Sequence, residues 1–461
     1  MSEVYPTLTA LFTDIADAIR ETTGDTDLIV ADDFPDVIRD SLEVAPPKPY
    51  LTFRSPSSFT LKVNDTTKHW NGTLEYSTDA STWTAWNGTT TLSSATKGSS
   101  NVLYLRGIMN SVITGSSSNY KWVLTGNDIK CIGNIENLLN YATVTAGHHP
   151  TMANYCYYNM FNGCTALTKA PALPATKLTF ACYTQMFYDC TSLTQAPALP
   201  ATTLADWCYS NMFHGCTSLT QAPALLATTL TSRCYNQMFH SCTSLTQAPA
   251  LPATTLADNC YYSMFWNCTS LTQAPELPAI TLADWCYQSM FGGCTSLTQS
   301  PALPATTLAE GCYREMFYNC TALTQAPALP ATTLTRQCYY GIFYNCTSLT
   351  QAPILPATTL AESCYQSMFG GCTSLTQSPA LPATTLTDNC YYKMFWNCLK
   401  IKLSSTQTGE YTQEYRIPSS GTGTTSTESL TDMFADTGGT FTGTPEINTT
   451  YYLSNTNTVV S

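Results

Sequence analysis

The sequence is poor in charge, in histidine and in long hydrophobic runs. Only 11% of its 461 residues are charged, less than half of the roughly 25% that is usual in globular proteins. The basic residues form no stripe that would neutralise a phosphate backbone, so we expect no nucleic acid among the partners. No stretch approaches the 18 apolar residues of a membrane-spanning helix, and we therefore expect no membrane insertion.

The residue patterns of common kinds of catalysis are also missing. The five histidines include one adjacent pair, His148 and His149, without a matching Ser, Cys or acid pattern. The sequence has no glycine-rich phosphate loop and no nucleophile elbow, and its cysteines lack the close spacing of zinc ligands. We predict a protein that is not an enzyme, with no catalytic residue, no metal site and no cofactor.

Acidic residues are concentrated near the N-terminus. The net charge is −12, and the first 45 residues hold eleven Asp or Glu but only two basic residues, Arg20 and Arg39. The opening residues have neither the basic start nor the apolar core of a secretory signal, so we expect no such signal. Apolar stripes before and after Gly24 predict a small helical hairpin over residues 1–45.

Cysteine, in contrast, is abundant and strictly spaced. Of the 21 cysteines, 20 fall into two series with a step of 26 residues, one from Cys156 to Cys390 and one eight residues later, from Cys164 to Cys398. A fixed period of this length indicates stacked repeats. Residues 151–400 are therefore predicted to form a solenoid of ten copies. The cysteines are predicted to be buried free thiols, although equivalent positions of neighbouring coils would also lie within disulfide range.

Each repeat is predicted to contain a short strand and a short helix. In the copy from Cys190 to Gly215, Leu193–Ala196 would be the strand, which ends at Pro197 because proline has no backbone donor. Thr203–Asp206 has the spacing of a capping box, and the apolar residues that follow occupy one half of a helical wheel. The predicted fold class is an α/β repeat solenoid of leucine-rich-repeat type, preceded by the helical hairpin and a small β-sandwich.

The repeat carries a recognisable motif, Met212-Phe213-His-Gly-Cys216-Thr-Ser-Leu219 in one copy. In this motif it resembles the BspA-like leucine-rich repeats of bacterial and phage surface proteins, and the resemblance covers all ten copies. It differs in having two prolines after the strand and no asparagine ladder. The resemblance implies adhesion or recognition.

The segments on either side of the repeats are predicted to be separate units. Residues 46–49 form a proline-rich linker, and alternating apolar residues with Asn-Gly turns predict a β-sandwich over residues 50–125. Residues 126–150 and 401–461 are expected to cap the two ends of the solenoid. The stretch FTDIADAIRETTGDTDLIVADDFPDVIRD resembles the N-terminal module of many phage structural and tail-fibre proteins, which implies binding to virion structural proteins through residues 1–45.

The outward positions of the predicted helices carry aromatic rings, where drift on a soluble helix would give Lys, Glu, Gln and Ala. The rings alternate with Asn, Ser, Gln and Gly, a mixture typical of antibody binding sites. We predict a ligand-binding face, with drift of exposed positions and self-association as the alternatives. The residues of this face are Trp207, Trp266, Trp285, Trp396, Tyr188, Tyr262, Tyr318, Tyr340, Tyr344 and Tyr392.

Three functions are compatible with this sequence. The first is a phage tail-fibre or receptor-binding protein, located on the virion, that recognises a bacterial surface glycan or protein. The second is a bacterial surface adhesin of BspA type, located outside the cell or on its surface. The third is a structural protein that assembles as a homo-oligomer through its aromatic faces.

Overall fold

The computed structural model describes residues 48–65, 68–418, 420–421 and 428–461. The predicted helical hairpin over residues 1–45 lies outside the described residues. The first ten strands are β1 Leu51–Ser55, β2 Thr60–Val63, β3 Thr73–Ser77, β4 Thr84–Trp86, β5 Leu92–Ser93, β6 Ala95–Lys97, β7 Ser100–Ile108, β8 Trp122–Thr125, β9 Ile129–Ile132 and β10 Leu167–Lys169. They form a larger sheet with the order β10-β9-β1-β7-β3-β4, in which β6 also pairs with β7, and a smaller sheet with the order β5-β2-β8.

Both sheets share their hydrophobic core with the first coil of the solenoid. The rings of Phe53 in β1 and Trp122 in β8 have centroids 6.4 Å apart. Phe161 of the first coil lies 6.3 Å from Phe53 and 6.0 Å from Trp122. Strand β10, in the first repeat, continues the larger sheet by pairing in parallel with β9. The sheets therefore cover the N-terminal end of the solenoid core.

The segment expected to form the N-terminal cap contains helix α1, Asn137–Thr145, which is kinked at Asn140. Just before it, the buried carboxylate of Glu136 lies 2.8 Å from Nδ1 of His149. This pair holds the chain after α1 against the residue that precedes it. Over the described ranges, no helix has the length and apolar character needed to cross a membrane.

The segment predicted as a helix in each repeat is not helical. In the copy from Ala205 to Cys216, every second backbone N–H closes a turn within the coil, as Ser210 does by donating to the Trp207 carbonyl at 3.1 Å. The N–H groups between them donate to the next coil, as Tyr209 does to the Cys234 carbonyl at 3.0 Å. The chain is thus a series of turns joined to its neighbours by hydrogen bonds, and the helix expected after Thr203 does not form.

This backbone repeats every four residues. Trp207, Asn211 and Gly215 have positive φ angles of 61°, 55° and 70°, and between them two inward side chains alternate with two outward ones. An α-helix would rotate the same residues by about 40° every four positions, so equivalent side chains would not stay aligned along the coil. The Tyr, Phe, Cys, Asn and Ser of this segment are weak helix formers. Stacked coils also supply carbonyl partners that an isolated segment lacks.

The predicted strand of each repeat is shorter than expected. In place of a strand over Leu193–Ala196, Gln195 alone forms bridges, in parallel with Lys169 on one side and Gln221 on the other. The same glutamine-to-glutamine bridge recurs between successive coils as far as Gln351. The nearby prolines cannot donate to a ladder and so confine the pairing to about one residue.

The inward side chains form continuous columns through the solenoid core. Ring centroids of equivalent phenylalanines in neighbouring repeats lie 5.6 to 5.8 Å apart, and those of equivalent tyrosines 5.5 to 6.0 Å apart. These rings are almost completely buried. The repeat region is therefore a leucine-rich-repeat-like solenoid, as the 26-residue spacing predicts, in which turns replace the helices.

All 21 cysteines are buried and free, as the sequence predicts. In the second cysteine series the thiol has a defined partner, because Cys216 donates to the Phe187 carbonyl at 3.1 Å and its counterparts in other coils do the same. Cysteine at this position therefore supplies both a small apolar volume and a hydrogen-bond donor to an inward carbonyl.

The C-terminal residues cover the last coils. The remaining strands are β11 Gln377–Pro379, β12 Thr385–Leu386, β13 Leu403–Ser404, β14 Tyr411–Arg416, β15 Ser420–Gly421, β16 Thr450–Ser454 and β17 Thr458–Val460. Strands β13, β16 and β14 form one antiparallel sheet, while β15 and β17 pair in parallel with β12 and β11 of the last repeats.

An eleventh turn segment, unrecognised at the sequence level, begins at Glu428. Phe434 stacks on Phe395 of the last repeat with centroids 5.3 Å apart, and the Met433 carbonyl accepts from the Phe395 N–H at 2.9 Å. Asp432 has a positive φ, as the equivalent positions of the ten repeats do. The dipeptide Met433-Phe434 is the sequence signal for this segment, but the spacing of 26 is lost there.

Candidate ligand-binding face

Seven rings on the outer surface stack into one column, called here the ring column. Its neighbouring centroids are 4.3 to 6.4 Å apart, and the ring planes are within 17° of parallel. All seven side chains are partly buried. The members of the ring column are Tyr188, His214, His240, Trp266, Tyr318, Tyr344 and Trp396.

Two glycines keep the ring column continuous where a coil has no ring. Trp266 and Tyr318 stack at 5.8 Å across Gly292, and a Cβ atom at Gly292 would lie only 2.2 Å from the Trp266 ring. At Gly370 a Cβ atom would lie 2.8 Å from the ring of Tyr344. Only glycine leaves room for the preceding ring to lean over the next coil at these positions.

The stacking determines which part of each ring a ligand can reach. The planes are nearly parallel, so each of the five inner rings has a neighbouring ring on both faces, and the terminal rings Tyr188 and Trp396 have one on a single face. A ligand beside the column is therefore left mainly the ring edges and hydroxyl groups. Members of the ring column therefore offer hydrogen bonds and polarised edges, and little open ring face on which a sugar could stack.

A groove of about 420 Å³ lies beside the ring column over the last four repeats. One set of lining residues belongs to the ring column itself: Tyr318, Tyr344 and Trp396. A second set, from the outward position that follows the buried tyrosine of each repeat, comprises Tyr340, Gln366 and Tyr392. The third set comes from the next position and comprises Glu315, Gly341, Ser367 and Lys393.

The small residues of the third set leave space for the groove. Gly341 has a φ of 53°, and a Cβ atom there would be 3.5 Å from Glu315 and 3.8 Å from Tyr344. A small side chain would thus meet ordinary contacts but would occupy the groove. Larger residues stand at the same position in other repeats, such as Gln185 and Gln237. Gly341 and Ser367 therefore leave space between the larger residues Glu315 and Lys393 at the two ends of the groove.

The acidic side chain in the groove is already engaged. Oε2 of Glu315 accepts a hydrogen bond from Ser289 at 3.2 Å, and Oε1 lies 3.5 Å from the guanidinium of Arg314. Arg314 in turn lies 4.4 Å from the ring centroid of Tyr340 and donates to Gln337 at 2.8 Å. Burial raises the pKa of the Tyr340 hydroxyl, which therefore remains protonated and able to donate at neutral pH.

Lys393 is the basic residue of the groove. Its Nζ lies 5.1 Å from the ring centroid of Tyr392. The Tyr392 side chain raises the pKa of Lys393, so the ammonium group is charged at neutral pH. Among the residues that the structure describes, no carboxylate oxygen approaches this ammonium to within 4.0 Å.

The structure brings together five of the ten residues predicted for the ligand-binding face: Tyr318, Tyr340, Tyr344, Tyr392 and Trp396. The other five do not line the groove. Tyr188 and Trp266 belong to distant parts of the ring column, and Tyr262 lies in an earlier coil. Trp207 lies under the guanidinium of Arg233 at 4.7 Å, and the ring of Trp285 covers Gly311.

The sequence interpretation missed five groove residues: Glu315, Gly341, Gln366, Ser367 and Lys393. The four-residue period could have found them, since it places their positions beside outward positions that carry aromatic residues in neighbouring repeats. The backbone also gives another reason for the Asn, Ser and Gly on this face. Every fourth residue has a positive φ, which Gly and Asn adopt at the least cost, so this part of the composition follows from the fold.

The histidines of the ring column predict a pH-dependent stability. Burial in the stack lowers the pKa of His240 to about 4, with a smaller contribution from His214, whose own pKa burial also lowers. In the unfolded chain both should titrate near 6.5. As the pH falls from 6.5 towards 4, the two histidines bind protons in the unfolded chain but remain neutral in the folded protein. Folding stability is therefore lost over that pH range.

For these partly exposed rings, we expect the loss to be about 1 to 2 kcal/mol after allowance for solvent screening. Urea unfolding at pH 7.5 and pH 4.5 measures it, with the double variant H214Q/H240Q as the control. Carboxylates that titrate in the same range are present in both proteins and cancel in the comparison. An equal loss of stability in the variant would show that the stacked histidines do not cause it.

Comparison with known proteins supports the repeat assignment. The family model described as the BspA type leucine rich repeat region matches in six copies, over residues 139–298, 209–325 and 286–414. Among curated proteins, none matches the chain. The matched residues include every coil of the groove and together run through more than half of the sequence. The chain therefore belongs to the family of BspA-type leucine-rich repeats.

Proposed function

We propose that this protein is a surface-recognition protein of adhesin type, which binds a glycan or protein on a bacterial surface through the groove beside the ring column. The observation that carries the proposal is the convergence of five outward aromatic residues, from three of the four coils that line it, on one groove of about 420 Å³. This volume falls in the usual range for ligand pockets, about 300 to 1,000 Å³. The scaffold of buried columns holds these residues in a fixed arrangement.

The placement of the aromatic side chains favours binding over simple drift. Tyr340 and Tyr392 occupy the same outward position two repeats apart, with Gln366 between them. Tyrosines of this kind combine contact area with a hydroxyl group and lose little entropy when they bind. The glycine in the third set leaves the groove open between the two lines of rings.

A double substitution in the groove tests the proposal. We expect Y340A/Y344A to bind bacterial cells at least about tenfold more weakly than the wild type, because two tyrosine contacts of about 1 kcal/mol or more would be lost. Binding of the labelled protein to a panel of whole cells provides the measurement. The matched control is Y188A/Y262A, which removes two tyrosines from the same two outward positions in coils outside the groove.

The control should bind within about twofold of the wild type, and both variants should retain the wild-type thermal transition. Equal loss in the two variants would assign recognition to the whole aromatic face. Unchanged binding by Y340A/Y344A would contradict the proposal. If that variant instead loses an oligomer seen for the wild type by light scattering, the groove serves self-assembly.

The location of the protein forms a separate part of the proposal. We propose that residues 1–45 attach it to a phage tail, on the basis of their resemblance to phage structural modules. A surface adhesin on the producing bacterium is the alternative. Antibody labelling of purified virions and of producing cells decides between them, since label on the cell envelope alone would exclude the tail location. Recognition by the groove does not depend on this outcome.

A further inference from the structure

We infer that the groove binds an acidic glycan, with a carboxylate or phosphate group of the glycan paired to Lys393 and its hydroxyl groups facing the tyrosines. This inference rests on the proposed function and specifies its ligand. Four observations lead to it: the position of Lys393, the engagement of the other charges, the orientation of the rings and the length of the groove.

Lys393 places a positive charge where the fold elsewhere has none. The same outward position is occupied in the other nine repeats by neutral or acidic residues: Asn159, Gln185, Asn211, Gln237, Ser263, Ser289, Glu315, Gly341 and Ser367. The chain has a net charge of −12, so this lysine is opposite in sign to the net charge of the protein. Its charge is complementary to an acid group of a ligand.

The backbone fixes the origin of the lysine side chain. Lys393 has a φ of 52°, and its N–H donates to the Thr431 carbonyl of the eleventh turn segment at 3.0 Å. Asp432 of that segment contributes to the raised pKa of Lys393, but it lies beyond the 4.0 Å limit of an ion pair. The ammonium therefore has the Tyr392 ring beside it and remains available to an anion.

Glu315, the other charged residue that lines the groove, and Arg314 beside it are paired within the protein. Arg314 is occupied by the Tyr340 ring, Gln337 and Glu315. The carboxylate of Glu315 is held by Arg314 and Ser289. An anionic group entering the groove therefore meets the unpaired ammonium of Lys393, while the carboxylate of Glu315 is held by its own partners. At the Lys393 end, Asp436 accepts a hydrogen bond from Nε1 of Trp396 at 3.0 Å.

The exposed chemistry of the groove suits hydroxyl groups better than apolar side chains. Ring faces in the ring column cover one another, with Tyr318 and Tyr344 only 3° from parallel at 5.2 Å. A hydrophobic anchor from a protein partner would need an open face or a deep apolar pocket. The groove offers phenol hydroxyls, the Gln366 amide and the Ser367 hydroxyl instead. These groups donate to and accept from a polyol.

The dimensions also favour a chain-like small ligand over a protein surface. Glu315 and Lys393 occupy equivalent positions three coils apart, which corresponds to roughly 14 Å at about 4.8 Å per coil. A stable protein interface usually involves about 20 to 30 residues on each side, whereas ten residues line this groove. An extended oligosaccharide lying along the solenoid axis fits this shape.

Isothermal titration of the full-length protein with defined oligomers tests the inference. The probes are an oligogalacturonate, which carries carboxylates, a polyglycerol phosphate, which carries phosphates, and an uncharged oligosaccharide of similar length. We expect the wild type to bind at least one acidic probe at least about tenfold more tightly than the neutral one. Comparison of the first two probes identifies the acid group.

The decisive variant is K393Q, with K177Q as its matched control. Both variants lose one positive charge. Lys177 is exposed in an early coil, far along the sequence from the groove, so K177Q changes the net charge without changing the groove. We expect K393Q to weaken binding of the acidic probe at least about tenfold and K177Q to change it less than about twofold, and K393R to retain most of the affinity.

Three results would overturn the inference: binding of neither acidic probe, equal binding of acidic and neutral probes, or wild-type affinity in K393Q. Loss of cell binding after protease treatment of the cells would also overturn it, in favour of a protein receptor. The proposed function would survive each of these results as long as Y340A/Y344A fails to bind cells. Normal cell binding by Y340A/Y344A would contradict the proposed function itself.

Discussion

Replacement of Phe291 by alanine is expected to lower the free energy of unfolding by about 3 to 5 kcal/mol. The Phe291 side chain is fully buried, and its ring lies between those of Phe265 at 5.7 Å and Phe317 at 5.8 Å. Truncation removes contacts on both faces at once. The surrounding columns are held in place by hydrogen bonds between coils, so the cavity cannot readily collapse.

The central position of Phe291 adds to the effect. In a solenoid each coil contacts only its neighbours, so weakening one middle coil weakens two interfaces and can separate the array into two halves. Chemical denaturation followed by far-UV circular dichroism should show a lower midpoint and a transition that is broader or divided in two.

The control for this substitution is Q288A in the same coil. Gln288 is outward and partly exposed, and its replacement should change the unfolding free energy by no more than about 0.5 kcal/mol. A loss below about 1 kcal/mol in F291A would mean that the stacked phenylalanine column contributes little to stability. It would also argue against the columnar packing of the core.

All 21 cysteine thiols are expected to resist alkylation in the folded protein and to react fully once it is unfolded. They are buried, and burial raises the pKa of Cys294, for example, to about 12. At pH 8 such a thiol has on the order of 10³-fold less thiolate than an ordinary cysteine with a pKa of about 8.5. The coil must also open locally before the reagent can reach the sulfur, which slows the reaction further.

Intact-mass measurement after iodoacetamide treatment, with and without denaturant, counts the labelled thiols. The variant T228C provides an internal standard, because Thr228 is exposed and its cysteine should be labelled at least about 100-fold faster than the buried ones. Rapid labelling of several native thiols would show that the columns are open to solvent. Fewer than 21 labelled thiols in the denatured, unreduced protein would reveal disulfides between coils.

Period and burial could be predicted because they depend on side-chain type at fixed spacing. Cys208, Tyr209, Met212 and Phe213 recur every 26 residues, and only a stacked array buries such a set in every copy. The predicted free thiols followed from the same argument. Even the outward residues could be chosen from the alternation of two constrained and two variable positions.

The helix prediction was wrong because it treated the segment as if it were isolated. A pattern of two inward and two outward residues fits either a period of 3.6 or a period of four over so short a stretch. Within the solenoid, the carbonyl of Cys234 is available to the N–H of Tyr209. Bonds between coils then replace the bonds between successive helical turns, and tertiary context overrides the local preference.

The groove, too, was predictable from the sequence in part and depends on the stacking of the coils for the rest. Its tyrosines could be selected from the sequence, but Trp285 and Trp396 were predicted as ligand-binding residues on the same grounds. Trp285 covers Gly311 of the next coil, whereas Trp396 lines the groove. Which ring is available to a ligand depends on its neighbours one coil away, and the effect of Gly292 and Gly370 on the ring column appears only after stacking.

By itself, the sequence determined the repeat length, the number of regular copies, the buried residue types and the outward face. These properties follow from the spacing and hydrophobicity of single residues. Only the tertiary structure decided the turn conformation, the eleventh segment and the meeting of Lys393 with the groove tyrosines. Each of these depends on hydrogen bonds or contacts between residues of different coils, which lie 25 or more positions apart in the sequence. A local sequence pattern does not identify such partners.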